Sequence, residues 1–423
     1  MPHDRAKRER AVTDKYEFVV FGGEYSIFNA LLIAADVIVT GGNFTYEYLK
    51  NEVGQFAIDL VTAMANAGVS PTETLYFDKF MFHNWEQPVP GVKVPLPNKF
   101  VPYVAARKRV SDTQPAPTPQ TGNIRHTVRR PDGTWTPAGD ATREISLSGA
   151  FLSVDCSGDG PNLHVVCVRH DGQVYHSIRS GDGSWTRKGD VRPEAHLERN
   201  YTEIGCGTCA SELHVVLVRD DGRVFHTVRR ADGSWTPAGD LSNEIAFPGN
   251  CVFSGCGGIG PDLHVVLVRD DGRVFHTVRR ADGSWTGPGD LSNKIGFSGN
   301  CIGCGCAGTG SDLQVVLVRD DGKVFHSLRN AAGSWTSAGD VGPAASLPGP
   351  CADAACASVA GELHVILLAG DGRVLHSIRR GNGSWTGAGD VGPDASLSGN
   401  FLRGGCSRIG NDLHVCVTPA NPA

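Results

Sequence analysis

No apolar run in this chain is long enough to cross a bilayer. The longest, Ala30–Val39, is short and contains Asp36, whereas a membrane helix needs about 20 apolar residues. The N-terminal residues carry charge, but no apolar stretch ending at a small-residue cleavage site follows them, so a secretory signal is not predicted. We therefore expect a soluble protein made in the cytoplasm without a classical signal peptide, and non-classical release stays open.

The chain also lacks an excess of positive charge. It has 39 basic and 45 acidic residues and a formal net charge of −6. A nucleic-acid partner usually requires a strongly basic face, so we do not expect one. Methionine is scarce at 3 residues, whereas glycine is abundant at 54. Many glycines with few helix formers are typical of a turn-rich, all-β architecture.

Thirteen cysteines would suggest disulfides in a secreted chain, but their spacing predicts another role. Nine of them fall in two series with an interval of fifty residues: Cys156, Cys206, Cys256, Cys306, Cys356 and Cys406, and Cys251, Cys301 and Cys351. A cysteine that recurs once per repeat is typical of a small buried packing residue, and disulfide or metal roles are the less favoured alternatives. Cys206 and Cys209 form one CxxC pair, but no second pair lies at zinc-ribbon spacing from it. We therefore expect neither metal nor cofactor.

The strongest pattern is an internal repeat of fifty residues. The stretch RVFHTVRRADGSWTPAGD at 223–240 returns almost unchanged at 273–290, and looser copies flank both. A period in this range indicates a solenoid, a propeller or an array. Packing alone rarely demands such fidelity, because core residues can vary among similar volumes. The faithful repetition of polar residues is better explained by several equivalent binding sites.

Each repeat predicts four antiparallel strands, which is the content of one propeller blade. In the repeat around residue 220 these are Asn200–Gly207, Leu213–Arg219, Val224–Arg230 and the short outer strand Trp235–Asp240. The Asp-Gly pairs between the later strands favour hairpin turns with positive φ. Each repeat is therefore interpreted as one blade.

The two ends of the array predict how the ring closes. Gly122–Asp140 contains only the two outer strands of a repeat, and Asn400–Val417 contains only the two inner strands. Pairing them completes one blade and removes exposed sheet edges. We therefore predict an all-β fold over residues 122–418: a six-bladed β-propeller of four-stranded antiparallel blades closed by shared N- and C-terminal strands.

A different domain is expected before the repeats. Residues 1–108 contain a candidate strand at Lys15–Gly23, helical spacing over Asn43–Gly68 and a capping box at Ser70–Glu73. This combination predicts a small α+β domain of unknown function. Residues 109–121 are rich in proline and threonine and are interpreted as a linker.

The hairpin GRVFHTVRRADGSWTPAGD, together with LHVVLVRDDG, resembles the PLL-type bacterial β-propeller lectins, whose blades carry G-x-[LV]-[FY]-H-[ST]-[IVL]-R…DGSW…GDV. The resemblance covers roughly residues 122–418 and every blade. It implies a lectin that binds L-fucose and O-methylated sugars between neighbouring blades, without catalysis or cofactor. The best-known members of that family have seven blades, whereas the repeats here predict six.

The repeated side chains suit a carbohydrate. A pyranose has an apolar face, which suits an aromatic ring, and a rim of hydroxyls, which suits charged donors and acceptors. Repeating a weak site around a ring also raises avidity. The predicted carbohydrate-binding residues are Trp135, Trp185, Trp235, Trp285, Trp335, Trp385, Arg129, Arg179, Arg229, Arg279, Arg329, Arg379, His126, His176, His226, His276, His326 and His376.

These residues also have structural interpretations. The tryptophans could fill the gap to the next blade, the histidines could hydrogen-bond a neighbouring blade, and the arginines could pair with the Gly-Asp aspartates such as Asp240. A second histidine series contains Gln314 in one blade, and its role is interpreted as structural hydrogen bonding.

Two other functions stay open, a ring for protein–protein interaction and, less favoured, a sialidase-like glycoside hydrolase. A hydrolase needs a unique acid and nucleophile in one pocket, and the D-G-S-W turn does not match the S-x-D-x-G-x-x-W box of sialidases. We therefore expect no enzyme and no catalytic residues. The expected partners are glycans, without membrane insertion, and a homo-oligomer stays open.

Overall fold

Two units make up the chain, residues 1–118 and residues 119–422. A computed structural model describes residues 16–21, 103–108, 123–198 and 200–419. In the first unit, β1 (Tyr16–Phe21) pairs antiparallel with β2 (Tyr103–Lys108), and β1 falls within the strand predicted at 15–23. The helical segment 43–68, the capping box and the linker lie outside the described residues. The α+β assignment and the domain boundaries therefore stay predictions.

The second unit contains six four-stranded antiparallel sheets, which confirms the predicted propeller. Its first strands are β3 (Arg125–Arg129) and β4 (Gly139–Asp140). Blade 1 consists of β5 (Phe151–Asp159), β6 (Asn162–Arg169), β7 (Val174–Arg179) and β8 (Gly189–Asp190). Blade 2 consists of β9 (Tyr201–Cys209), β10 (Glu212–Arg219), β11 (Val224–Arg229) and β12 (Gly239–Asp240). Blade 3 consists of β13 (Cys251–Ile259), β14 (Asp262–Arg269), β15 (Val274–Arg279) and β16 (Gly289–Asp290).

The remaining blades repeat this order. Blade 4 consists of β17 (Cys301–Thr309), β18 (Asp312–Arg319), β19 (Val324–Arg329) and β20 (Gly339–Asp340). Blade 5 consists of β21 (Cys351–Val359), β22 (Glu362–Ala369), β23 (Val374–Arg379) and β24 (Gly389–Asp390). Blade 6 combines β25 (Phe401–Ile409) and β26 (Asp412–Pro419) with β3 and β4.

Blade 6 joins the two ends of the ring. β26 pairs antiparallel with β3, from Leu413 opposite Arg129 to Val417 opposite Arg125. The prediction that shared terminal strands close the propeller is thus confirmed. Main-chain hydrogen bonds across this junction satisfy two strand edges that would otherwise be open to other chains.

The apolar core lies between adjacent blades. The second strand of each blade is buried on both faces, and in β10 Val215, Val216 and Leu217 are all 0% exposed. Val216 packs in one cluster with Leu263 and Val265 of blade 3. Because each sheet is covered on both sides by its neighbours, these strands are continuous β-branched and apolar runs rather than alternating ones.

The outer strand of each blade is shorter than predicted. In blade 2 only Gly239 and Asp240 pair with β11, and Trp235 makes a separate bridge to Arg229. A short helix that the repeat analysis did not predict follows each outer strand: α1 (Ala141–Glu144), α2 (Val191–Ala195), α3 (Leu241–Glu244), α4 (Leu291–Ile295), α5 (Val341–Ala344) and α6 (Val391–Ala395). The Gly-Asp aspartate caps each helix, as Asp240 does by accepting a hydrogen bond from the Asn243 N–H.

The Asp-Gly hairpin between the second and third strands explains one repeated glycine. Gly222 has φ +80°, and a Cβ there would lie 2.3 Å from Cβ of Asn250. Asp221 instead accepts a hydrogen bond from the Arg223 N–H at 3.1 Å. Positive φ therefore falls on the glycine alone, as in hairpin loops that end in a left-handed residue.

All thirteen cysteines are free and buried, which confirms their predicted role in packing. Burial raises the pKa of the Cys251 thiol from 9.0 to about 12, so this thiol stays protonated near neutral pH. In the part of the chain that the structure describes, no helix is long and apolar enough to span a membrane.

Candidate functional site: the clefts between blades

Each predicted tryptophan contacts the blade that precedes its own. The ring of Trp235, in blade 2, packs edge-on against His176 of blade 1, with centroids 5.4 Å apart and an angle of 81°. The same contact recurs around the ring, as His126–Trp185, His226–Trp285, His276–Trp335, His326–Trp385 and His376–Trp135. The tryptophans remain half-buried, so each one joins two blades and keeps part of its ring open to solvent.

The histidines are arranged in pairs within five of the six blades. Nε2 of His176 lies 3.0 Å from Nδ1 of His164, and equivalent pairs join His126–His414, His226–His214, His276–His264 and His376–His364. In blade 4, Nε2 of His326 donates to Oε1 of Gln314 at 2.7 Å. The expected hydrogen bond to a neighbouring blade is therefore wrong, because the bond stays within the blade.

These histidines are neutral near pH 7. Burial, followed by the nearby His164 and Arg229, lowers the pKa of His176 well below its ordinary value of 6.5. Burial is also the main cause that lowers the pKa of His164 to about 4. The hydrogen bond of this buried neutral pair uses one nitrogen of each ring, and the His176 ring packs against Trp235.

The strand-end arginines point their charge toward the cleft rather than toward the Gly-Asp aspartates. Arg229 of blade 2 lies close enough to His176 and His164 of blade 1 to lower the pKa of both. Within the described ranges none of the six arginines forms a salt bridge, and Asp240 pairs with Arg223. The expected pairing of these arginines with the Gly-Asp aspartates is therefore wrong.

Tryptophan, arginine and histidine line one cleft. Between blades 1 and 2 the cleft has a volume of about 250 Å³. It contains Trp235 and Arg229 from blade 2 and His176 from blade 1, and the polar side chains of Thr186, Arg187, Asp190 and Glu194 complete its wall. The structure thus brings all three predicted residue types together, although whether they hold a sugar stays a prediction.

Glu194 is a cleft residue that the sequence interpretation missed. It lies on α2, and the equivalent positions hold Glu144, Glu244, Lys294, Ala344 and Asp394. A search for repeated residues passes over a position that changes from blade to blade. The signal was the variation itself, because this position changes from blade to blade while the strand residues around it repeat.

A second cluster of polar side chains lies on the inner strands, away from the clefts. A central cavity of about 40 Å³ is lined by Asp155, Glu203, Asp353 and Arg403. Arg403 lies 3.4 Å from Glu203 and 3.9 Å from Asp353. Burial raises the pKa of Glu203 from 4.5 to about 7 and that of Asp353 from 3.8 to about 6. Among residues 123–198 and 200–419, no group of three or more potential ligands fits a metal ion.

The propeller is similar in fold to solved structures that include two lectins. A lectin from Burkholderia pseudomallei is 16% identical with a TM-score of 0.47, covering 64% of this chain and 82% of that chain. A fucose-specific lectin from Aleuria aurantia is 18% identical with a TM-score of 0.46, covering 64% and 96%. AofleA from Arthrobotrys oligospora is 11% identical with a TM-score of 0.49, covering 64% and 81%. No protein-family model and no curated protein matches the chain.

Proposed function

We propose that this protein is a non-catalytic, multivalent lectin that binds glycans, preferably fucosylated or O-methylated ones, in the clefts between its blades. The observation that carries the proposal is the cleft between blades 1 and 2, where Trp235, Arg229 and Glu194 line one space of about 250 Å³. The PLL-type motif in every blade supports the choice of sugar.

The chemistry of the cleft matches the surface of a monosaccharide. The half-buried ring of Trp235 offers an aromatic surface for the apolar face of a pyranose. The guanidinium of Arg229 supplies several donors in a fixed plane, and the carboxylate of Glu194 supplies acceptors. A hydroxyl rim needs both kinds of group, since each hydroxyl donates and accepts.

The arrangement supports binding rather than catalysis. His176, the buried titratable group that lines this cleft, is neutral and hydrogen-bonded to His164, so it is a poor candidate for general acid–base work. The six-fold repetition favours many modest sites that gain strength together when a surface displays many copies of a glycan.

A glycan array with the full chain tests the proposal. Arg229→Gln with Arg279→Gln should reduce binding to fucosylated or O-methylated glycans several-fold, because two of the six clefts lose their planar donor group. Arg230→Gln with Arg280→Gln is the matched control, since these exposed neighbours do not line the cleft. All variants are compared at equal folded concentration by thermal melting.

The array also separates the alternatives. A folded native chain that binds no glycan would overturn the lectin proposal and favour a protein-docking ring. Equal loss in the 229/279 and 230/280 variants would mean that general surface charge, and not the cleft, holds the sugar.

A further inference from the structure

The cleft between blades 3 and 4 differs from the others in charge. This cleft has Lys294 at the position of Glu194, and Arg329 and Asp290 occupy the positions of Arg229 and Asp190. In the cleft between blades 2 and 3, the same positions hold Glu244, Arg279 and Asp240, and Asp240 pairs with Arg223, so these charges balance. The positively charged cleft thus adjoins a cleft without excess charge, which is built from the most similar pair of repeats.

The ammonium group of Lys294 lies over the wall of its cleft. Its Nζ is 2.9 Å from the point where a Cβ would stand on Gly289, and the equivalent Gly189 lines the cleft between blades 1 and 2. Burial, His264, Arg329 and Lys294 together lower the pKa of His276. Both cations are therefore near the histidine against which Trp335 packs, with centroids 5.2 Å apart.

The nearby carboxylates already have hydrogen-bond partners. Asp290 accepts from the Asn293 N–H at 3.0 Å and from Nδ2 of the same residue at 2.9 Å. Asp262 accepts from the Ala281 N–H at 3.0 Å. The hairpin that carries Arg329 has Ala332 where its neighbour has Asp282. Among the residues described, neither Lys294 nor Arg329 has a salt-bridge partner, so an acidic ligand would meet two uncompensated cations.

We propose that the cleft between blades 3 and 4 binds an anionic saccharide through its carboxylate, while the clefts with Glu144, Glu194 and Glu244 bind neutral sugars. This inference rests on the proposed lectin function and adds a second ligand class to it. Trp335 receives the sugar face, Arg329 offers paired donors to the carboxylate, and Lys294 supplies the second positive charge.

Fluorine NMR of the full chain, labelled with 5-fluorotryptophan, can report each cleft separately. Methyl α-L-fucoside tests the general lectin function, and methyl α-D-galacturonide and methyl α-D-galactoside form a pair that differs only in the carboxylate. Trp335→Phe and Trp285→Phe assign the two decisive signals. We expect the galacturonide to shift the Trp335 signal more strongly than the galactoside, and the difference to shrink at high salt.

Two substitutions at equivalent positions provide the matched test. Lys294→Ala introduces the residue that blade 4 has naturally at Ala344 and should weaken galacturonide binding at Trp335 by about two- to fivefold, the range for one exposed ion pair. Glu244→Lys should create a galacturonide response at Trp285. Fucoside responses at Trp185 and Trp235 should stay unchanged in both.

The outcomes separate this inference from the lectin function beneath it. If the fucoside shifts tryptophan signals but Trp335 does not distinguish galacturonide from galactoside, the anionic cleft is overturned and the lectin stands. If Trp335 distinguishes them equally well in Lys294→Ala, the assigned role of Lys294 is overturned. If none of the three glycosides shifts a tryptophan signal in the folded chain, both the anionic cleft and the lectin function are overturned.

Discussion

Replacing Glu203 with glutamine should flatten the pH dependence of the propeller's stability. Glu203 is 8% exposed on the inner strand of blade 2, where its Oε1 accepts a hydrogen bond from Ser153 at 2.7 Å. Burial raises its pKa from 4.5 to about 7, with Asp353 adding to the shift and Arg403 opposing it. Glutamine keeps the shape and the acceptor oxygen but cannot titrate.

The direction of the pH effect on stability depends on whether the folded or the unfolded chain holds the proton more tightly. A carboxyl whose pKa is higher in the folded chain binds its proton there while the unfolded chain has released it, so stability falls as pH rises through that window. For a shift from 4.5 to about 7, one group removes about 2.5 kcal/mol between pH 5 and pH 8.5. Between pH 5 and pH 8.5, the free energy of unfolding of Glu203→Gln should therefore rise by about 2.5 kcal/mol relative to that of the native chain.

Urea unfolding at pH 5 and pH 8.5, followed by tryptophan fluorescence, measures this difference, because six of the seven tryptophans lie in the repeats. Glu244→Gln, which removes an exposed carboxyl on α3, controls for a change in net charge. An equal difference in the free energy of unfolding between Glu203→Gln and the native chain at both pH values would contradict the raised pKa of Glu203.

Three further predictions test the fold. The thirteen buried thiols should resist iodoacetamide in the native chain and all react after unfolding, as mass spectrometry would show; fast native labelling would contradict their packing role. His214→Gln should cost less than about 1 kcal/mol in urea unfolding, since Gln314 keeps the same bond to its partner histidine; a loss of several kcal/mol would contradict it. Removing residues 400–423 leaves β3 and β4 without their inner strands, so we expect a lower melting temperature and concentration-dependent association by light scattering; an equally stable monomer would argue against closure.

The repeat carried most of the fold prediction. A constant interval specifies one blade, and the incomplete units at Gly122–Asp140 and Asn400–Val417 specify the closure, because only their union makes a whole sheet. Asp-Gly hairpins set the register of the later strands. The cleft residues followed from the same regularity, since Trp235 and Arg229 occupy equivalent places in every blade.

Three structural features could not be predicted from the repeat, because they depend on contacts that the repeat does not specify. The pairing of His176 with His164 rather than with a neighbouring blade follows from strand register, which places the two positions on one face. The helix cap at Asp240 is a local four-residue feature that strand periodicity does not detect. The group of Glu203, Asp353 and Arg403 comes from positions that differ in each blade, so only the closed ring brings them together.

The closure of blade 6 also determines how the ring responds to force. β3 and β26 run antiparallel, and Val417 opposite Arg125 is the outermost pair. The chain enters and leaves this sheet at the same end, so tension applied to its two ends peels the strands apart one hydrogen bond at a time instead of shearing them together. A pull between the N-terminal unit and the end of β26 therefore opens this seam first.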